Sequence, residues 1–462
     1  MNGRLTVAAS LGLLLMTSGV KAAQPWLSDR RYGEGIGIRA GGFELHPGVS
    51  AEFGYDSNFF LRAPSETPVA DAWRLRVTPS LSLSSVKPEH LGSQSRGDVP
   101  FFNLQAQTYL AYSEIFGDAK ELNGYKRNFD VGVGAKLDIA QQRPLGGDVY
   151  ADFVRNGEPS NVAGTGQTFD RGTVRGGAGV SWRPGGGLFD WRVGYEAAYG
   201  YFEDKPYDVY NNVQHQINTR GRWRILPRSG FLYDAKYTFI RYQANPSPQP
   251  SGDQLQARVG FSGLVTSRVA FLVMGGWNST YYEATSAGAT SGGQTIPQTP
   301  AQNYDGYVGQ AELKFFLMST PEDISASTGL SSVTVGFARD LSNSYLGAFY
   351  TRDRGYLGFD VFLGGMFVAS LQGGFARYSY PQVDNNLNPL GFTQNHVDAT
   401  LFAEYRFSDT FGLNGTVMYD KSIGEGPWPQ GVRLADAADG TQRYDNLEYD
   451  RVQAYVGLRL FW

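Results

Sequence analysis

The four histidines, His46, His90, His215 and His396, are the first places to look for chemistry, because imidazole is both a common general base and a common metal ligand. None of them makes a metal-ligand spacing with another. The chain also carries no Gly-x-Ser-x-Gly elbow and no His-Glu-x-x-His motif. Asp384, His396 and Asp398 come closest to a hydrolytic set, but they are scattered around one loop. The residues therefore point away from an enzyme, with no catalytic residue, no metal ligand set and no cofactor expected. The sharpest chemical feature is cationic: Arg220, Arg222 and Arg224 stand two residues apart. On an extended chain that spacing places three guanidinium groups on one face. Such a row can attract anionic groups, or it can pair with acids on neighbouring strands, Glu196 being one possible partner. Uncompensated like charges on a small patch repel, so structural pairing is the expected role.

A row of this kind needs a strand to present it, and strands are what the rest of the sequence predicts. Phe43, Leu45, Pro47, Val49, Ala51, Phe53 and Tyr55 alternate with Glu44, His46, Gly48, Ser50, Glu52 and Gly54. Trp73, Leu75, Val77, Pro79, Leu81 and Leu83 alternate with Arg74, Arg76, Thr78 and three serines. Phe129 to Ile139 repeats the pattern, with Lys136 and Asp138 on the polar parity. Apolar sets at the same period recur at Phe189–Tyr199, Leu255–Phe261, Val397–Phe407 and Val452–Leu460. A period of two sends successive side chains to opposite faces of a strand. Soluble strands usually run about 5 or 6 residues, whereas a tilted membrane strand needs about 9 to 11, and these runs reach about 10 to 13. In lipid every backbone polar group must be paired, so strands can span only as a closed barrel.

Composition agrees. The chain has 462 residues, no cysteine, a net charge of -4, 59 glycines, 28 tyrosines and 29 phenylalanines, with a mean hydropathy of -0.32. Without cysteine, stability must come from packing or backbone pairing rather than from disulfides. Mild acidity argues against a nucleic-acid partner. Residues 1–22 read as a signal peptide, with Arg4 in the positive region, an apolar run from Leu5 to Met16, and Val20-Lys21-Ala22 before the cut. No apolar run long enough for a membrane helix follows it. Residues 23–41 are expected to form a short periplasmic segment and residues 42–462 the barrel. Trp73, Trp191, Trp223 and Trp277 fall on the outward parity and suit interfacial girdles.

Connections alternate in length. Short ones lie at 183–186, 226–229, 266–267, 364–365 and 408–409; long ones lie near 155–170, 243–254, 283–303, 381–393 and 420–446. Short turns belong to the periplasmic side and long loops to the cell surface. The expectation is an all-β, transmembrane, antiparallel up-and-down β-barrel of about 18 strands, within about 16 to 20. Ser342 to Gly355 is read as one loop. Pro47 and Pro79 interrupt ladder bonding and predict an irregular periplasmic rim. Gly426-Pro427-Trp428-Pro429, within 420–446, and the low-charge loop 283–303 are the candidate gates.

The chain ends Tyr455-Val456-Gly457-Leu458-Arg459-Leu460-Phe461-Trp462. This resembles the C-terminal signal that outer-membrane barrels present to their assembly machinery, with Tyr455, Gly457, Leu460 and Trp462 in the signal positions and Leu460 where an aromatic is more usual. Gly42-Phe43-Glu44-Leu45-His46-Pro47-Gly48-Val49, followed by Phe53-Gly54-Tyr55-Asp56-Ser57-Asn58-Phe59-Phe60, resembles the first strand of the putative β-barrel porin family, and Arg352-Asp353-Arg354-Gly355-Tyr356-Leu357-Gly358 is similar to it as well. Some barrels of that kind are associated with capsule and exopolysaccharide secretion. The resemblance thus implies a bacterial outer-membrane location and a translocation pore for polysaccharide, handed over by a separate periplasmic export protein. An uptake porin for small hydrophilic solutes is the alternative, and a non-transporting adhesin or anchor the third reading.

Function must sit in the lumen. Glu44, Glu52, Arg74, Arg76, Lys136, Asp138, Arg192, Glu196, Arg220, Arg222, Arg224, Glu312 and Lys314 are the expected lumen-facing residues, with Gln214, Gln216 and Asn218 on the arginine strand. Their mixed charge suits a hydrated, weakly charged solute. Tyr109, Tyr150, Tyr242, Tyr378 and Tyr380 are candidates for stacking on sugar rings.

Overall fold

The computed structural model describes residues 37–63, 69–85, 101–141, 143–159, 168–203, 208, 210–244, 250–284, 289–291, 294–296, 303–317, 331–344, 349–363, 366–381, 391–425, 432–436, 442–445 and 448–462. The signal peptide, most of the segment 23–41, His90, Asp384 and Gly426 to Pro429 fall outside them. Eighteen strands form one closed sheet. The first six are β1 (Phe43–Asp56), β2 (Ala72–Ser85), β3 (Phe102–Phe116), β4 (Arg127–Ile139), β5 (Leu145–Pro159) and β6 (Thr168–Trp182). Next come β7 (Phe189–Phe202), β8 (Asn212–Leu226), β9 (Ser229–Tyr242), β10 (Gly252–Thr266), β11 (Val269–Tyr282) and β12 (Asn303–Phe316). The last six are β13 (Ser332–Asn343), β14 (Phe349–Leu363), β15 (Phe367–Tyr380), β16 (Phe392–Ser408), β17 (Phe411–Glu425) and β18 (Tyr449–Phe461). Each pairs antiparallel with its sequence neighbour, and β18 closes on β1 from Gly48↔Phe461 to Asp56↔Gln453. Among the described residues no helix is long and apolar enough to cross a membrane; the chain crosses with strands.

The period-two pattern decides which face each residue takes. Phe53, Trp73, Val133, Trp191, Trp223, Val259, Trp277, Phe337, Leu401 and Val456 are exposed on the outer wall, where lipid replaces water and apolar exposure carries no penalty. Their polar neighbours in sequence turn inward, where they are buried or half-buried. Register shifts fall at Ser229/Gly230, Leu264/Thr266 and Arg406/Ser408, all at short periplasmic turns, so the ladders through the barrel wall stay in phase.

Three expectations need correction. The connection after β13 is only 344–348, because Phe349 to Gly355 belong to β14 and pair with β13. Short and long connections do not alternate strictly: 86–101 and 317–331 are long, yet they lie on the side of the short turns. At the first hairpin the β1–β2 register runs unbroken through Pro47↔Leu81 and Val49↔Pro79. The irregularity lies instead in the outer ladders. The β2–β3 register passes from Val77↔Tyr112 to Ser80↔Tyr109 across Thr78 and Pro79, and β18 ends level with Gly48, where the Trp462 amide donates to the Pro47 carbonyl (2.9 Å). Below that point a short strand, Ile38–Ala40, turns back through Gly41, held at φ +63°, to cover the edge of β1.

Candidate functional site

The inner wall is built from pairs that reach across a strand as well as to the next one. Arg192 in β7 donates to Asp148 in β5 (2.7 Å). Between them lies Gly179 in β6, where any Cβ would collide with the Arg192 guanidinium. Tyr150 in β5 donates to Glu196 in β7 across Gly177, whose Cβ would lie 2.6 Å from the ring. Tyr356 in β14 reaches Glu312 in β12 (2.7 Å) over Gly336. Arg354 in β14 reaches Asp398 in β16 (2.7 Å) past Gly374, whose Cβ would lie 2.8 Å from the guanidinium. A glycine in the middle strand leaves the groove through which each of these side chains crosses. Inward glycines flanked by strands bearing opposite charge are the sequence signal for such pairs, and the count of 59 glycines reflects it in part.

Around the closing seam most of the charges are buried. Glu404 in β16 accepts from Arg406 (2.8 Å) and from Arg459 of β18, over Gly412 of β17. Glu52 accepts from Arg76 (2.7 Å), whose guanidinium also lies 5.2 Å from the Tyr455 ring centre. Asp56 accepts from Arg451 (2.9 Å) and Gln453 (2.8 Å), and Tyr449 donates to Asp420 (2.6 Å). Charges this deeply buried persist only when paired.

Each expected lumen residue sits on the inward parity. Glu44 meets Arg39 (3.3 Å), Lys136 meets Asp138 (2.8 Å), Arg74 covers the Phe59 ring at 5.3 Å, and Lys314 lies 5.9 Å from the Phe316 ring. Glu196 does not serve the arginine row, because it is engaged by Tyr150. Across the register Arg220 faces Arg192 and Asp234, and Arg222 faces Asp190. Of the C-terminal residues, Tyr455 and Gly457 point inward while Leu460 and Trp462 stand exposed outside. The tyrosines are mostly committed to packing. Tyr109 and Tyr150 lie over Gly132 and Gly177, while Tyr378 packs 5.2 Å from Tyr350 and 4.6 Å from His396, and Tyr380 stacks on Phe392 at 4.1 Å. His215 lies outside, bonded to Tyr195 (2.6 Å).

One inward element escaped the sequence reading. Phe59 and Phe60, just past β1, bury their rings against Ala72 at the top of β2, Ile115 at the top of β3, and Leu122 in the 3-10 turn Lys120–Gly124. The rings meet edge to face at 4.9 Å, and Tyr125 closes on Phe60 at 5.5 Å. Asn58 holds the segment: its side chain donates to the Arg62 carbonyl (2.8 Å) and accepts from the Arg62 amide (2.9 Å). Because Ala72 and Ile115 are inner-wall residues, this apolar cap lies within the extracellular mouth. Of the loops expected to gate, residues 420–425 prove to belong to β17 (Phe411–Glu425), and the described remainder includes two small hairpins, Ala289–Ser291 with Gln294–Ile296 and Val432–Asp436 with Gln442–Asp445.

The family described as putative beta-barrel porin 2 matches residues 31–295, more than half of the chain. No curated protein is significantly similar. Among solved structures, OpdK of Pseudomonas aeruginosa with vanillate is 10% identical, with 90% of this chain and 99% of that chain covered and a TM-score of 0.45. A BenF-like porin of Pseudomonas fluorescens Pf-5 is 8% identical over 90% and 99%, TM-score 0.48. The FrpB iron transporter of Neisseria meningitidis is 9% identical over 90% and 81%, TM-score 0.43.

Proposed function

From the premise that the chain belongs to the putative beta-barrel porin 2 family and is a barrel of the bacterial outer membrane, we propose that it is a non-enzymatic porin that lets small hydrophilic solutes across. The observation that carries this reading is the closed eighteen-strand wall with an inner face of paired charges, amides and hydroxyls. A barrel of about 16 to 18 strands has room for an aqueous channel, and a lining whose charges are mostly paired hydrates such a channel. The thirteen lumen-facing residues named above are its lining. The same reading takes residues 1–22 as a cleaved signal, 23–41 as a periplasmic lead, 42–462 as the barrel, and Tyr455, Gly457, Leu460 and Trp462 as the assembly signal.

Polysaccharide export ranks second. The cap at Phe59 and Phe60 occupies part of the mouth through which a polymer would have to leave, and a small solute has less to clear. A clean deletion strain separates the two readings. The porin reading expects surface and periplasmic polysaccharide to stay at wild-type levels while uptake of small hydrophilic solutes slows. Loss of surface polysaccharide with accumulation in the periplasm would replace it with export through a periplasmic partner.

A further inference from the structure

The acids around the arginine row are all committed elsewhere. Asp148 holds Arg192 (2.7 Å), Asp152 holds Arg175 (2.8 Å), Asp190 holds Arg183 (3.4 Å), Asp234 holds Arg258 (2.9 Å), and Glu196 accepts from Tyr150. Among the described residues, neither Arg220 nor Arg224 has a carboxylate within 4 Å, and the same is true of Lys236 on β9. Asn218 stands opposite Lys236, one inward step above Arg220. Inward positions on a strand recur about every 6.8 Å. Arg224, Arg220 and Lys236 therefore form a rising cationic line from the periplasmic mouth toward mid-lumen, continued by the amides of Gln216 and Gln256. Without matching acids these cations repel one another. An anion passing between them relieves the repulsion, and a guanidinium fork matches the two oxygens of a carboxylate or phosphate.

We propose that this line is a binding track for small oxyanions, carboxylate or phosphate, which makes the pore anion-preferring. The proposal rests on the porin reading. Its test uses the full-length barrel in planar bilayers under a KCl gradient, comparing wild type with the Arg220→Gln/Arg224→Gln double variant and with Arg228→Gln on the exposed periplasmic turn as a surface-charge control. Wild type and the control should prefer chloride, and the double variant should lose that preference. Sodium succinate or inorganic phosphate should block wild type, with the half-blocking concentration rising about tenfold in the double variant, as expected for loss of charge-assisted hydrogen bonds. Block by succinate alone assigns the track to carboxylates, block by phosphate alone to phosphates, and block by both to oxyanions in general. Unchanged selectivity and unchanged block in a conducting double variant would overturn the track and leave the porin standing. A lower unfolding midpoint with unchanged selectivity would overturn it too, and would mark the row as structural. A wild-type barrel that does not conduct but binds succinate or phosphate by calorimetry, with binding lost in the double variant, would refute the pore and keep the track.

Discussion

Replacing Glu404 with Ala lowers the stability of the barrel by about 3 to 5 kcal/mol, the usual cost of removing one partner from a buried ion pair. The Glu404 carboxylate is shared by Arg406 and Arg459, and Glu404 is 1% exposed. Without it, two neighbouring guanidinium groups lose the carboxylate they share. Both also flank the Phe461 ring, at 5.2 and 5.3 Å, so the loss falls on the last residues of β18 and hence on closure against β1. Urea unfolding of protein refolded in lipid vesicles, followed by tryptophan fluorescence, measures the effect. Glu404→Gln keeps a hydrogen-bond acceptor and should lose less than Glu404→Ala. A shift below about 1 kcal/mol for Glu404→Ala, the range of an exposed pair, would show that water reaches this network.

The second large effect is on conduction. Phe59→Ser combined with Phe60→Ser removes two rings that occupy part of the extracellular mouth and should raise single-channel conductance about twofold, because apolar constrictions hold back water and ions. The folded barrel should survive. Its closure rests on ladder hydrogen bonds such as β1–β18 and β1–β2, which do not pass through the cap, although the local anchoring of 57–63 against Leu122 and Tyr125 is lost. Heat-modified migration on gels reports the fold, and bilayer recordings report conductance. Equal conductance in both proteins would place the cap outside the ion path.

These two sites also mark what a sequence can and cannot disclose. Which face Glu404, Arg459 or Arg220 takes follows from a local rule, the alternation of side chains along an extended chain, so strand number and inward set can be read directly. The partner a charge chooses is not local. Glu196 lies on the strand beside the arginine row, yet it is taken by Tyr150 from two strands away, because Gly177 leaves that path open. Read together with the glycines, the same sequence contains this information; read one strand at a time, it does not. The cap was hidden for a different reason. Phe59 and Phe60 follow the last alternating residue of β1, and they meet Leu122 and Tyr125 about sixty positions later, in a segment with no period at all. Their adjacency puts two large rings together where a surface loop would otherwise favour polar residues, which is the one local sign of burial there.

The most direct test of the porin account is solute passage through the purified barrel. Proteoliposomes carrying it should swell in isotonic solutions of small sugars and amino acids, at rates that fall as solute size rises, and single insertions should give stable ohmic steps in KCl. Vesicles that do not swell, together with silent bilayers for both the wild type and the Phe59→Ser/Phe60→Ser variant, would contradict a pore of any kind.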